Sequence, residues 1–472
     1  MQTRRDQLHA YRFQNRRALA ALVTGEPNVV EPPMRRLTVT TISGIMIAIL
    51  ITVGFVIAGY ISPSAGDMWK GAGAIIVERV TGARYVLLGN VLHPVVNYSS
   101  AVLAVGTNQQ AHVVLVDRSD LKSAKRGPTI GIADLPDSLP SAANLVRTPW
   151  SVCSRQQSGA NDQLEARVSV LAGDDAGARP VPTNTAVVVR DMTPDSNRYL
   201  LLGGRRMAMP STGVATALGV QSAPELRVGT AFLDGVPAGP DLQAPNLPKV
   251  GDRLNGLVDG TDAVVGQLLH VKENGQYFLV LADGVAALDP VQTALLLTLP
   301  IGSGKRPLAP LETTESVAVG LPTSKGDWPA VAAKLAGLPN QLPKLSRTAG
   351  EQGGVCAIYR NNSDRPTFAV PPSLLPAFHL PAVKESTKSQ QGVADDVLLS
   401  SGGAAVAKTT GGSSTIFVVA APGRKFAAAS KEVLTGFGYG AVAPTELPVQ
   451  LLSLIPRGAA LDPDAARRPV AG

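Results

Sequence analysis

Gly302-Ser303-Gly304-Lys305-Arg306 is the stretch of this sequence nearest to a chemical device, a glycine-rich loop that wraps phosphate. Such a loop, G-x-x-x-x-G-K-[ST], bends at its first glycine and holds magnesium with its last hydroxyl. Here position 299 is Leu299 and position 306 is Arg306, so both parts are missing, and prolines at 300 and 310 frame the stretch as a linker. The five histidines, His9, His93, His112, His270 and His379, fall into no H-E-x-x-H or other metal spacing. No G-x-S-x-G nucleophile elbow occurs. Asp174-Asp175 and Asp395-Asp396 pair carboxylates, but they sit beside glycine or in polar, turn-like sequence and read as solvated turns. With three Trp, eight Tyr and nine Phe in 472 residues, a sugar-stacking surface is poorly supplied. The two cysteines, Cys153 and Cys356, are too few for a structural zinc site by themselves. No catalytic residue, cofactor or metal site is expected.

The elements that carry these residues start with a membrane segment. Leu37 to Ile61 holds no charged residue, Asn, Gln, His or Pro. Its 25 residues reach roughly 37 Å as a helix, enough to cross a hydrocarbon core of about 30 Å. A cleaved signal peptide has an apolar core of only about 7–15 residues. Before the span lie seven arginines, Arg4, Arg5, Arg12, Arg16, Arg17, Arg35 and Arg36, against Asp6, Glu26 and Glu31. Arginine beside a span stays in the cytoplasm, so the chain is expected N-terminus in and C-terminus out. Removing those seven and three charges from the totals leaves 36 basic and 33 acidic residues beyond the span. The outer region is therefore only mildly basic, and nucleic acid is not an expected partner. Residues from Thr3 to Leu22 have helical spacing, with Leu8, Tyr11, Leu19 and Leu22 near one face and Thr3 and Asp6 placed as a capping box. This basic amphipathic helix suits anionic lipid or partner helices, through Arg4, Arg5, Arg12, Arg16 and Arg17.

The outer region reads as a duplication. LPDSLP at 135–140 returns as LPNQLP at 338–343, and Val152-Cys153 returns as Val355-Cys356, both at an offset of 203. Tyr85, Tyr199, Tyr277 and Phe417 each open an apolar run, preceded by apolar runs at 74–77, 186–189, 263–265 and 404–407 with turn formers between. Helix starts are expected at His93-Pro94, Met209-Pro210, Asp289-Pro290 and Ala429-Ser430. Each unit is thus a ββα module, and Leu233–Leu242 matches Leu452–Leu461 after the second and fourth. Irregular spacing argues against a solenoid and for an elongated body with a pseudo-two-fold axis. Cys153 and Cys356 occupy equivalent places near that axis, where they can pair; two buried free thiols are the other reading. Residues 155–163, 302–315, 384–392 and the tail from Gly458 are expected to be less ordered.

The opening T-R-R-D-Q-L-H-A-Y-R-F, the single span, Tyr85–Pro94, Leu135–Leu145 and the Val-Pro-x-Gly-Pro run (236–240) together resemble EccB, membrane component B of type VII (ESX) secretion in actinobacteria. The resemblance covers nearly the whole chain. It implies an α+β fold: one transmembrane helix plus an elongated, internally duplicated periplasmic domain of four ββα-type repeats around a central domain stapled by a Cys153–Cys356 disulfide. The corresponding division is 1–36 cytoplasmic helix and linker, 37–61 transmembrane helix, 62–110 first repeat, 111–175 first half of the central domain and 176–250 second repeat. It continues with 251–305 third repeat, 306–383 second half of the central domain, 384–457 fourth repeat and 458–472 tail. The implied role is a structural subunit of the secretion membrane complex. Its implied partners are the motor ATPase EccC, EccD, EccE, further copies of itself and the inner membrane, with a peptidoglycan contact beside them. A membrane-anchored cell-wall binder and an ATP-hydrolysing component are the competing readings; some family members carry an ATPase label that the incomplete phosphate loop does not support.

Overall fold

The structure is a computed structural model that describes residues 3–28, 33–61, 68–106, 111–158, 164–193, 196–301, 306–347, 353–360, 363–372, 392–400, 402–411 and 414–470. Its first helix, α1, spans Arg4–Thr24. Thr3 caps it in a capping box with Asp6, and Gly25 closes it at a positive φ of 72°. The second, α2, spans Pro33–Ile61. Its window Thr38–Ile57 has a mean hydropathy of 2.3, and none of it is buried against the rest of the chain. Thr and Ile at this density disfavour a helix in water. In hydrocarbon the helix is the arrangement that satisfies every backbone group within one segment. Thr52 fits that solvent because its hydroxyl donates to the Ala48 carbonyl at 2.7 Å.

Beyond the span, four sheets share one strand order: third, second, first, fourth. Sheet 1 uses Ala74–Glu78, Arg84–Leu88, Val91–Pro94 and His112–Val116, with the helix Tyr98–Val105 before the last strand. Sheet 2 uses Thr185–Asp191, Arg198–Leu202, Arg205–Met209 and Glu225–Val228 around the helix Thr212–Ala217. Sheet 3 uses Leu268–Val271, Tyr277–Leu281, Gly284–Leu288 and Leu311–Thr313 around Pro290–Leu296, and sheet 4 uses Ala404–Thr409, Ile416–Ala420, Arg424–Ala427 and Thr445–Leu447 around Lys431–Gly436. In each, the first strand runs antiparallel to the second and parallel to the fourth. After the fourth strand the chain returns to the outer edge of the third. There one residue of the third strand makes a pair of backbone hydrogen bonds at 2.7–3.0 Å: Leu92, Arg206, Val285 and Lys425 in turn.

This differs from the ββα expectation by one strand before the helix and one after it. His93-Pro94 lies in a strand and the following helix starts at Tyr98 under an Asn97 cap. Ser211 rather than Pro210 caps the second helix, whereas Asp289 and Ser430 stand at the N-caps of the third and fourth. Ala263 and Val264 of the apolar run at 263–265 belong to a separate hairpin, Arg253–Val258 with Thr261–Val264, so sheet 3 opens at Leu268. Three stretches expected to be loose are built in, in whole or in part: of 302–315, Leu311–Thr313 pairs as the fourth strand of sheet 3 and 302–305 lie outside the described residues. Arg155 to Ser158 continue the long strand Trp150–Ser158, and 159–163 lie outside the described residues. The tail places Leu461 and Ala466 in a core at 0% exposure, its helix Pro463–Ala466 packs on Tyr98–Val105, and Arg467 Nε donates to the Ala104 carbonyl at 3.0 Å. Its Ala and Pro content resembled a solvated end, but the apolar residues recur where sheets 1 and 4 leave a gap.

A central sheet has the order Asp396–Leu398, Leu164–Ala172, Trp150–Ser158, Gly354–Tyr359, Thr367–Val370, Arg179–Pro180. One of its faces shares a core with sheet 2 through Val187, Val189 and Leu201, and with sheet 4 through Ala405, Ala407 and Val419. Sheet 4 turns its other face to sheet 1, where Ile75, Val86 and the helix Tyr98–Val105 meet Val406, Val418 and Phe426. Sheet 2 does the same with sheet 3, whose helix supplies Val291, Ala294 and Leu295. Through shared cores the bodies therefore run sheet 1, sheet 4, central sheet, sheet 2, sheet 3. Each face is possible because side chains alternate along a strand, as Ile75 and Ile76 do toward opposite cores.

Candidate functional site

The two cysteines lie at the middle of that order. Trp150–Ser158 and Gly354–Tyr359 pair antiparallel, with Cys153 opposite Cys356. A disulfide joins them. Of the six pairs in this ladder it is the one whose members lie 203 positions apart, the offset at which the hexapeptides recur. A two-fold axis that exchanges two antiparallel strands must pass through the pair in which each residue faces its own equivalent. The cysteine pair occupies the place such an axis would take. They are 2% and 0% exposed, under Leu171, Ala176, Ala178, Ile358 and Ala369.

Around the staple, polar side chains tie the two halves. Arg167 forks onto Asp396 at 2.5 and 2.6 Å, and the Val168 N–H donates to Asp395 at 2.7 Å. The hydrogen bonds to the Asp396 carboxylate raise the Arg167 guanidinium pKa from its ordinary value. Asp395-Asp396 is thus a clamp, not a solvated turn; its partner lies 229 positions away, so no local pattern announces it. Asp174 and Asp175 do form a turn, each accepting from a backbone N–H two residues on. The repeated hexapeptides act as bridges. Asp137 pairs with Arg84 of sheet 1, and the Pro140 carbonyl accepts from Tyr439 beside sheet 4 at 2.5 Å. In the second copy, Leu338 packs on the cores of both sheets 2 and 3, and Lys344–Leu345 adds to sheet 2.

A cleft of about 620 Å³ opens between Ala166 and Val168 of the central sheet, Thr230 to Asp234 beside sheet 2, and Gly392 to Asp395. Its smaller neighbour includes Glu165 and Asp191. Asp191 is committed, accepting from the Thr193 N–H at 3.1 Å and the Thr230 hydroxyl at 3.0 Å. The one hydroxyl–carboxylate pair at its edge is this Thr230–Asp191 bond, which holds the turn after the strand Thr185–Asp191. Among the described residues no group of three or more His, Cys, Asp or Glu is arranged to hold a metal ion. His93 meets the Pro128 carbonyl at 3.0 Å, and His270 stacks on Tyr277 and pairs with Glu312. Lys305, with Gly302 to Gly304, and His379 lie outside the described residues.

The basic residues of α1 behave differently. Arg4, Arg5, Arg12, Arg16 and Arg17 are all exposed, and Leu8, Tyr11, Leu19 and Leu22 are 46–84% exposed. At about 100° per residue those four apolar residues fall within about 80° of arc. Arg4 and Arg12 project from the same side, so apolar and basic residues are less segregated than the expected amphipathic pattern. Lys425 and Asp283 went unnoticed in the sequence. Burial and the neighbouring Arg457 bring the Lys425 ammonium down to about 8, and its Nζ donates to the Leu452 carbonyl at 2.5 Å. Asp283 drops to about 2 because the Ser324 hydroxyl and the N–H groups of Gly326, Asp327 and Lys325 all donate to it, anchoring the start of the helix Trp328–Leu335.

A sequence profile of the family T7SS_ESX1_EccB, "Type VII secretion system ESX-1, transport TM domain B", matches residues 1–470. The chain is 29% identical over 316 residues to "ESX-5 secretion system ATPase EccB5" of Mycobacterium tuberculosis, covering 64% of this chain and 60% of that protein. It is 29% identical over 300 residues to "ESX-3 secretion system ATPase EccB3" of Mycolicibacterium smegmatis, covering 62% and 56%. The matched part therefore spans less than two thirds of those relatives' own length. Among solved structures, a chain in "Structure of an intact ESX-5 inner membrane complex" is similar with a TM-score of 0.64 at 24% identity, covering 100% of this chain and 96% of that one. The chain in "Structure of EccB3 dimer from the ESX-3 core complex" gives 0.63 at 24%, covering 84% and 100%. At these identities the two structures speak for the fold.

Proposed function

Because this chain belongs to the EccB family of type VII secretion, we propose that it is a structural subunit of an ESX inner-membrane complex, with α2 crossing the membrane, α1 in the cytoplasm and the sheets in the periplasm. The observation that carries this reading is the body itself: five sheets joined through shared cores, pinned at the centre by one disulfide and hung on one apolar helix. Such a body spaces and orients partners. We read the four like-ordered sheets as four repeats about a central domain, divided near 62–110, 111–175, 176–250, 251–305, 306–383, 384–457 and 458–472. On this reading the chain has no chemistry of its own, although its relatives are named ATPases, because Leu299 and Arg306 replace the glycine and hydroxyl a phosphate loop needs. The motor ATPase EccC, with EccD, EccE and further copies of this chain, would be its neighbours, and Arg4, Arg5, Arg12, Arg16 and Arg17 its cytoplasmic contacts. Charge reversal at Arg12, Arg16 and Arg17 is expected to release those proteins from a detergent-extracted complex and to stop secretion while the outer domain still folds. Lys305→Ala is expected to change neither. Export lost in the lysine variant with protein level unchanged, or an intact complex in the arginine variant, overturns the scaffold reading.

A further inference from the structure

Charge beyond the span is distributed unevenly. Residues 62–130 carry seven basic and four acidic side chains, whereas 131–472 carry 29 of each. The whole net charge of the outer region therefore belongs to the segment that builds sheet 1, the sheet joined directly to the span. Only residues 62–67 separate Ile61 of α2 from Met68. Seven steps along a chain reach at most about 25 Å, so sheet 1 is held near the membrane surface by its covalent link.

Arg79, Arg84 and Arg118 are paired with Asp117, Asp137 and Glu78, and the other four basic groups lie around the face where the chain arrives. Trp69 is 5% exposed and packs with Tyr85 and Leu121 on the side of sheet 1 turned away from sheet 4. Lys70 lies over the Trp69 ring at 5.4 Å, and Arg126 lies over the Tyr85 ring at 5.5 Å. Lys122 and Lys125 flank them on the segment that covers this core, and all four cations are exposed. Resting on the reading that α2 crosses a membrane, we infer that this face of sheet 1 seats on the anionic phospholipid headgroups of that same bilayer. Attraction of this kind acts within about a Debye length, roughly 10 Å at moderate salt, and the short link keeps the face within range. Seated in this way, the bilayer fixes the tilt of sheet 1, and through its shared core that of sheet 4, as well as their distance from the membrane.

The test uses the full chain in nanodiscs of phosphatidylcholine alone or mixed with phosphatidylglycerol. Ser123→Cys, exposed between Lys122 and Lys125, takes a fluorophore, and a headgroup dye reports its distance; Val319→Cys near sheet 3 is the distant control. Energy transfer at position 123 is expected to rise about twofold in the anionic discs and to fall back in high salt, as for any electrostatic seating. The triple change Lys122→Glu, Lys125→Glu and Arg126→Glu is expected to abolish the rise. Lys122→Gln with Lys125→Gln is a milder variant should the triple change misfold. Transfer that ignores lipid charge, salt and both variants overturns the inference, as does transfer that rises only when a partner protein is added. Incorporation into the disc is scored separately, so a failed headgroup contact leaves the spanning role of α2 standing, and a chain that does not enter the disc sinks both.

Discussion

Cys356→Ser removes the bond at the centre of the body and leaves Cys153 facing a hydroxyl across the ladder. Closing a loop of 203 residues is worth on the order of 5 kcal/mol in the chain-entropy model, less whatever structure the unfolded chain retains. The variant is expected to melt several degrees lower, and Cys153 to react with a thiol reagent after unfolding; the unaltered chain should label at neither position. Lys425 gives a pH signature. It is 7% exposed, and burial first, then Arg457, lowers its pKa from 10.5 to about 8. Between those two values the unfolded chain binds a proton that the folded chain does not, so stability rises with pH across that window and levels off on either side. Denaturant titrations from pH 7.5 upward should show the rise, and Lys425→Met should flatten it.

At the scale of elements, the segment returning to each third strand is the part with the least tolerance. In sheet 4 it passes so close that a Cβ on Gly458 would lie 2.3 Å from the Phe426 ring, itself fully buried between sheets 1 and 4. Gly458→Ala must displace that ring, an overpacking that costs about 1–3 kcal/mol. Gly127 and Gly239 hold the same place in sheets 1 and 2 and face His93 and Met207, while Ser324 holds it in sheet 3. Thermal melting of Gly458→Ala against Gly219→Ala separates the two causes of intolerance. The second glycine has open space around it but a φ of 70°, so its cost comes from backbone strain alone.

The whole molecule is interlocked. Sheets 1 and 2 fall in the first half of the chain and sheets 3 and 4 in the second, yet sheet 1 shares its core with sheet 4 and sheet 2 with sheet 3. Neither half can bury its own apolar faces by itself. A protease site placed at the exposed Pro248-Lys249 link should therefore give two fragments that still elute together under native conditions, with or without reductant. They should separate on a denaturing gel only when the disulfide is reduced. Fragments that part on native gel filtration would show that the shared cores are weaker than their burial suggests.

Much of this architecture was legible in the residues. The span, its arginine flank and the Thr3 cap depend on local composition, and the solvent or the first helical turn selects them without help from the rest of the chain. The pairing of the cysteines was also readable, because the offset of 203 that links the hexapeptides links the cysteines as well. The outer strands of each unit were missed because runs such as Val91–Pro94 are short, carry a proline and become strands only when a neighbour supplies hydrogen bonds. The Arg167–Asp396 clamp, the burial of the tail and the crossing of the two halves depend on contacts between residues hundreds of positions apart. Which face of a strand is buried, and against which copy, is a property of the assembled cores, and the tertiary structure alone decided it.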